Sequence, residues 1–167
     1  MTKFFLFISL FFSNVVFASQ YQSPSDFVSE AFSGKPPAAQ SFWITPDLKE
    51  KVADILQHKA GFMRTRYWRV GNKSVWVLNE IGKTQLITVG IIIENNAIQN
   101  LKVLEFKESR GWEVKHSFFT DQFKSISINS DHSLSKPIDG ISGATLSVRA
   151  LKKTAMLALF FNQQINK

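Results

Sequence analysis

The chain has 167 residues, with 20 Lys and Arg against 13 Asp and Glu, a formal net charge of +7, and no cysteine. The missing thiols exclude a disulfide scaffold, a thiolate metal site, a cysteine nucleophile and a lipid-modified cysteine. The length suits one domain with one core.

Lys3 opens the chain ahead of the apolar run Phe4 to Phe12, and Ser13, Asn14 and Val16-Phe17-Ala18 follow. Six of the 16 phenylalanines fall in this opening stretch of 18 residues. A basic start, a short apolar centre and a small residue at the end are the three parts of an export signal. The run is shorter than the roughly 20 apolar residues of a membrane span. Residues 1–18 are therefore expected to be a signal peptide cleaved after Ala18, with an uncleaved N-terminal anchor as the alternative. A basic exported chain is expected to meet membranes or acidic proteins, and no nucleic acid.

Further along, Ser25-Asp26-Phe27-Val28 starts a short helix that Gly34-Lys35-Pro36-Pro37 ends, because proline cannot continue it. Thr45-Pro46 reads as a cap and first-turn proline. Leu48, Val52, Ile55 and Leu56 follow at helical spacing, so the pattern predicts an amphipathic helix over 46–58 with Lys49, Glu50 and Lys51 outside. From Met63 the character changes. Arg66 to Val70, the turn Gly71-Asn72, and Ser74 to Leu78 predict a hairpin. Gln85 to Ile93 is apolar and β-branched, as a central strand buried on both faces would be. Glu94-Asn95-Asn96 turns the chain into a further strand over Ile98 to Phe106. There Leu101 and Val103 are expected to oppose Leu104 and Phe106 across an irregularity. Three or four consecutive strands joined by short turns imply an antiparallel sheet.

Residues 107–124 read as a loop and a short helix, 125–137 as an exposed connection, and Leu146 to Gln163 as a helix packed centrally on the sheet. The fold class is thus α+β, an antiparallel sheet packed with helices. His58, His116 and His132 are scattered, with no ligand spacing, so no metal site is expected. Arg149, Lys152 and Lys153 share one face of the last helix, either a solvated face or an attraction for an acidic partner or a phosphate.

Just ahead of that helix lies Asp139-Gly140-Ile141-Ser142-Gly143-Ala144-Thr145. Small residues expose backbone N–H groups at a helix N-terminus, where the helix dipole favours negative charge, and Thr145 adds a hydroxyl. The pattern Asp139-x-x-Ser142-Gly143-Ala144-Thr145 resembles the flavinylation motif of FMN-binding domains. These domains occur in small exported flavoproteins and in the FMN-carrying subunits of Rnf and sodium-pumping NADH:quinone oxidoreductase complexes. In that family a flavin transferase, using FAD and Mg²⁺, moves FMN onto the final Thr or Ser.

The resemblance implies covalent FMN on Thr145, with Asp139, Ser142, Gly143, Ala144 and Leu146 as recognition or phosphate-contact positions. A weaker resemblance lies at Glu108-Ser109-Arg110-Gly111-Trp112, where the family often has a Glu-Thr-Pro-Gly turn. Glu108 and Gly111 match it, the Thr-Pro is missing, and Trp112 offers a stacking surface. The implied organisation is a signal peptide (1–18), a helical lead-in (19–62) and an FMN-binding domain (63–167). The implied function is an extracytoplasmic or periplasmic electron carrier, more an electron-transfer protein than a self-sufficient enzyme, with no catalytic residues of its own. Its partners would be the flavin transferase and a membrane-associated redox protein. The alternatives are a flavin-dependent reductase of a small or metal-chelate substrate, and a flavin-free binding module of the same fold.

Overall fold

The computed structural model describes residues 19–167, and the segment read as an export signal lies outside the described residues. In chain order the elements are β1 (Ser19–Gln20), α1 (Pro24–Ala31), β2 (Gln40–Trp43), α2 (Pro46–Leu56), β3 (Arg64–Val70), β4 (Lys73–Ile81), β5 (Leu86–Glu94) and β6 (Ala97–Phe106). Two 3₁₀ turns, Trp112–Lys115 and Asp121–Phe123, flank the short helix α3 (Ser117–Thr120), and α4 (Thr145–Gln164) ends the chain.

Strands β2 to β6 form an antiparallel meander, and β1 pairs beyond β6, giving the order β1-β6-β5-β4-β3-β2. The α+β class with an antiparallel sheet is the one found, but the sheet has six strands instead of three or four. The two additional strands are both edges. Ser19 pairs with Phe106, and Gln40 pairs with Tyr67, so the residues before β3 close both sides of the sheet. Short turns set the register of the inner strands. Asn95 and Asn96 both adopt positive φ, 51° and 62°, the backbone of a tight hairpin turn.

The irregularity in β6 is a bulge. Thr88 pairs with Glu105 and Val89 with Val103, so Leu104 is the extra residue and turns to the opposite face. Phe106 therefore rejoins the face of Leu101 and Val103, where opposition was expected. Leu104 packs instead with Phe27, Val28, Ala31 and Val75 beneath α1. Gly90 makes that packing possible. A Cβ there would lie 2.5 Å from the Phe27 ring, so only glycine lets the ring rest on the strand backbone.

The main core lies on the other face, under α2 and α4. Phe42, Trp76 and Phe161 meet there, with ring centroids 4.6 Å apart for Phe42–Phe161 and 5.7 Å for Trp76–Phe161. Burying one such side chain stabilises by about 1.5–3 kcal/mol. Helix α4 is buried around most of its circumference, so its axis is held firmly over the sheet. The stretch 125–137 is mostly exposed, as expected, except that Ile126 is fully buried and its carbonyl accepts the Ile98 N–H at 2.8 Å.

Candidate functional site

Helix α4 begins at Thr145, and the backbone ahead of it explains why. Gly143 sits at φ +82°, a conformation glycine adopts without a steric penalty. The Ala144 N–H donates to the Ile141 carbonyl at 3.0 Å, closing a turn that delivers the chain into the helix. Ala144 occupies the cap position and has no side-chain oxygen, so no side chain caps the first turn. The first N–H groups of a helix have no intrahelical partner. Here they lie at the positive end of the longest helix, beside an exposed threonine.

Thr145 lies between two cavities. The larger, about 570 Å³, is lined by Lys83, Glu108, Ser109 and Arg110 on one side and by Gly143 to Ser147 on the other. A smaller one, about 320 Å³, is lined by Gln57, Thr145, Val148, Arg149, Lys152, Lys153 and Met156. The structure thus brings Glu108, Gly143, Ala144, Thr145 and Leu146 to one cavity. Ser142 and Asp139 are exposed on the turn that leads into it. The Asp139 N–H donates to Gln122 Oε1 at 2.8 Å, which ties that turn to the segment after α3.

Glu108 holds the β4–β5 turn. Its Oε1 accepts the backbone N–H groups of Lys83, Thr84 and Gln85 at 2.5, 2.6 and 2.8 Å. Burial pushes the Glu108 carboxyl up, but the three N–H donors together outweigh that and hold it below the usual carboxylate range. A carboxylate clamping this turn also fixes Lys83 at the cavity wall.

Gly111 serves close approach. It is buried at φ +83°, and a Cβ there would lie 2.5 Å from Ser147 Oγ and 3.5 Å from Ala144 Cβ. Trp112 sits outside the cavity wall. Its ring is nearly half exposed and packs edge-on against His116, with centroids 5.5 Å apart, and beneath the Lys115 ammonium.

Sequence reasoning did not single out Lys83 or Arg110 as site residues. Each comes from a loop distant in sequence from Thr145, and an isolated lysine or arginine carries no positional signal. The basic face of α4 is also less uniform than a solvated face would be. Lys153 is largely buried, 3.6 Å from the buried carboxylate of Glu80, which also binds His58 Nε2 at 2.9 Å. A backbone contact to the Lys59 carbonyl and the Glu80 carboxylate hold the His58 pKa above its ordinary value. Arg149, by contrast, is exposed one turn beyond Thr145.

The comparisons with known proteins agree with this geometry. The FMN-binding domain family matches residues 82–159, from the turn that Glu108 clamps through most of α4. No curated protein matches the chain. Among solved structures the fold is similar to that of NqrC from Shewanella oneidensis, with a TM-score of 0.58 at 14% identity, over 85% of this chain and 96% of that one. That likeness spans more of the chain than the family segment does. Residues 82–159 thus carry the match to the FMN-binding domain family, on a fold similar to that of NqrC.

Proposed function

We propose that the chain is an exported electron-transfer flavoprotein that carries FMN through a phosphoester on Thr145. The observation that supports this reading best is the position of Thr145: an exposed hydroxyl on the first residue of a buried helix, opening onto the larger cavity. The donor set fits a phosphate-bearing cofactor. Lys83 and Arg110 bring positive charge, and the uncapped helix terminus offers N–H donors. Gly143, φ +82°, leaves the approach open, with no atom within 4 Å of where a Cβ would stand. In this reading these groups hold the phosphate, and Arg149 adds charge from the second cavity. Bound FMN supplies the redox chemistry, and the protein supplies attachment, orientation and electrostatics.

Attachment would proceed on FAD, brought by a flavin transferase. The Thr145 hydroxyl oxygen forms a bond to the flavin-side phosphorus, the diphosphate P–O bond breaks, AMP departs and the hydroxyl proton is released. The product is heavier by one FMN less one water. The reading also places the protein in the periplasm or an equivalent extracytoplasmic space, with a membrane-associated redox partner. There a tethered cofactor would not be lost by dissociation.

Intact mass and in-gel fluorescence of the exported protein, beside Thr145→Ala, test the proposal. The expected result is a denaturation-resistant flavin adduct in the wild type that is absent from the variant. A colourless wild type, or an adduct that survives Thr145→Ala, overturns it.

A further inference from the structure

Next to the cavity, and outside its wall, the surface carries a row of exposed aromatic side chains. Trp112 is 46% exposed, Phe118 64% and Tyr21 38%. Their contacts connect them. Phe118 stacks with His116 at a centroid distance of 6.1 Å, and His116 meets Trp112 at 5.5 Å. The Lys115 ammonium then bridges the Trp112 and Tyr21 rings, 5.2 and 4.2 Å from their centroids. Two elements hold this row in place. Tyr21 is fixed by its N–H to the Leu104 carbonyl at 2.8 Å, and Phe119, next to Phe118, is fully buried.

We infer that this patch, formed by Tyr21, Trp112, Lys115, His116 and Phe118, seats the domain on the headgroup region of an anionic lipid bilayer. Three observations support that occupant. The first is composition. Tyr and Trp have apolar bodies with one polar atom, and with a lysine at their margin they match the chemistry of the membrane interface. The second is position. Tyr21 is the third residue after Ala18, where the Phe-rich apolar segment ends, so at full extension the chain places the patch within roughly 10 Å of that end. The third is charge. The chain carries +7 overall, and Lys115 lies within the patch itself, so an anionic surface attracts the domain as a whole.

No helix among the described residues is long and apolar enough to cross a bilayer, and the proposed contact is superficial. Its strength would be that of a reversible second contact beside the apolar N-terminal segment, or of a weak peripheral one once that segment is removed. Either way the contact would hold the larger cavity close to the bilayer, because Gly111 separates Arg110 in the cavity wall from Trp112 in the patch by one residue. The inference does not depend on a flavin at Thr145.

The absence of cysteine makes the test direct. A polarity-sensitive fluorophore is placed on Phe118→Cys and, separately, on Met63→Cys. Met63 is 63% exposed and precedes β3, toward the edge of the sheet far from β1. The purified chain, in whichever N-terminal form it is isolated, is mixed with vesicles of phosphatidylcholine alone or with phosphatidylglycerol. The label at 118 should shift to the blue and be quenched by lipid-borne nitroxides on the anionic vesicles, while the label at 63 stays water-like. In a separate partitioning assay, replacing Tyr21 and Phe118 together by serine should weaken association with those vesicles by about tenfold. A water-like label at 118 on both vesicle types overturns the inference, as does equal immersion of both labels. A response at 118 only when membrane proteins are present would assign the patch to a protein partner and overturn the lipid assignment.

Discussion

Gly111 and Ser147 approach so closely that a single added carbon would join them: a Cβ on the glycine would lie 2.5 Å from the serine Oγ. Through this contact the loop after β6 is seated on the first turn of α4. The cavity wall carrying Glu108 and Arg110 is thereby registered against Thr145.

Gly111→Ala should therefore destabilise the fold by about 1–3 kcal/mol, from the positive φ and the overlap together. Adding Ser147→Ala should recover only part of the loss, since the positive φ of 83° persists and Ser147 Cβ is itself 3.3 Å away. Chemical denaturation of the two variants measures both contributions. Full recovery in the double variant would show that the backbone conformation carries no strain.

Glu108 gives a pH signature. Its carboxyl is held below the usual value of 4.5, so its contribution to stability is present above that pH and is lost as pH falls through the lower folded-state value. Glu108→Gln should be less stable than wild type at neutral pH by about 1 kcal/mol, the worth of hydrogen bonds that lose their charge. The two proteins should converge in stability as the pH drops below 4.5. Parallel melting curves across that range check the convergence, and a constant difference would mean that Glu108 does not titrate with folding.

Asp139 is exposed, and its one hydrogen bond to Gln122 uses the backbone N–H, not the carboxylate. Asp139→Ala should leave stability within about 0.5 kcal/mol of wild type. Flavinylation in a system with a competent flavin transferase should nevertheless slow, because the motif position is expected to be read by that enzyme. The time course of adduct formation by mass spectrometry decides the matter. Modification at the wild-type rate would leave Asp139 no recognition role.

Far from the site, Ser74 ties β4 to α4. Its hydroxyl donates to Asn162 Oδ1 of α4 at 2.7 Å and accepts from the Trp76 indole at 3.0 Å, all in the buried core. Asn162 in turn donates to Asn96 Oδ1 at 3.0 Å. Ser74→Ala should lose about 1–3 kcal/mol, since it leaves the indole N–H without its buried acceptor. Thermal unfolding measures this, and a neutral effect would imply that water fills the gap.

The middle of the sheet was legible because its residues signal strongly. Ile91, Ile92 and Ile93 lie in an apolar β-branched run, and Asn95-Asn96 supplies the turn. The two edges carried no such signal. Ser19 and Gln20 are both exposed, and β2 buries only Phe42, so neither shows the alternation that marks a strand. The opposite error at Phe106 has a related cause: one inserted residue, Leu104, reverses the face of everything after it, and period-two counting does not contain that step. At the site, the turn from Asp139 to Thr145 was readable because its residues are contiguous and of telling size. Lys83 and Arg110 were not, because only the folded hairpin and the Gly111 approach bring them to the same cavity.

The placement of the sheet's edges and of α4 also imposes an order in time. The strand at Ser19 has no partner until Phe106 has been made, and the core around Trp76 lacks one of its rings until Phe161 has been made. Thr145 begins the same helix that carries Phe161. A chain cut short before Phe161 would therefore keep the whole turn from Asp139 to Thr145 and still lose the ring that packs on Trp76, so an intact motif is no guarantee of an intact core.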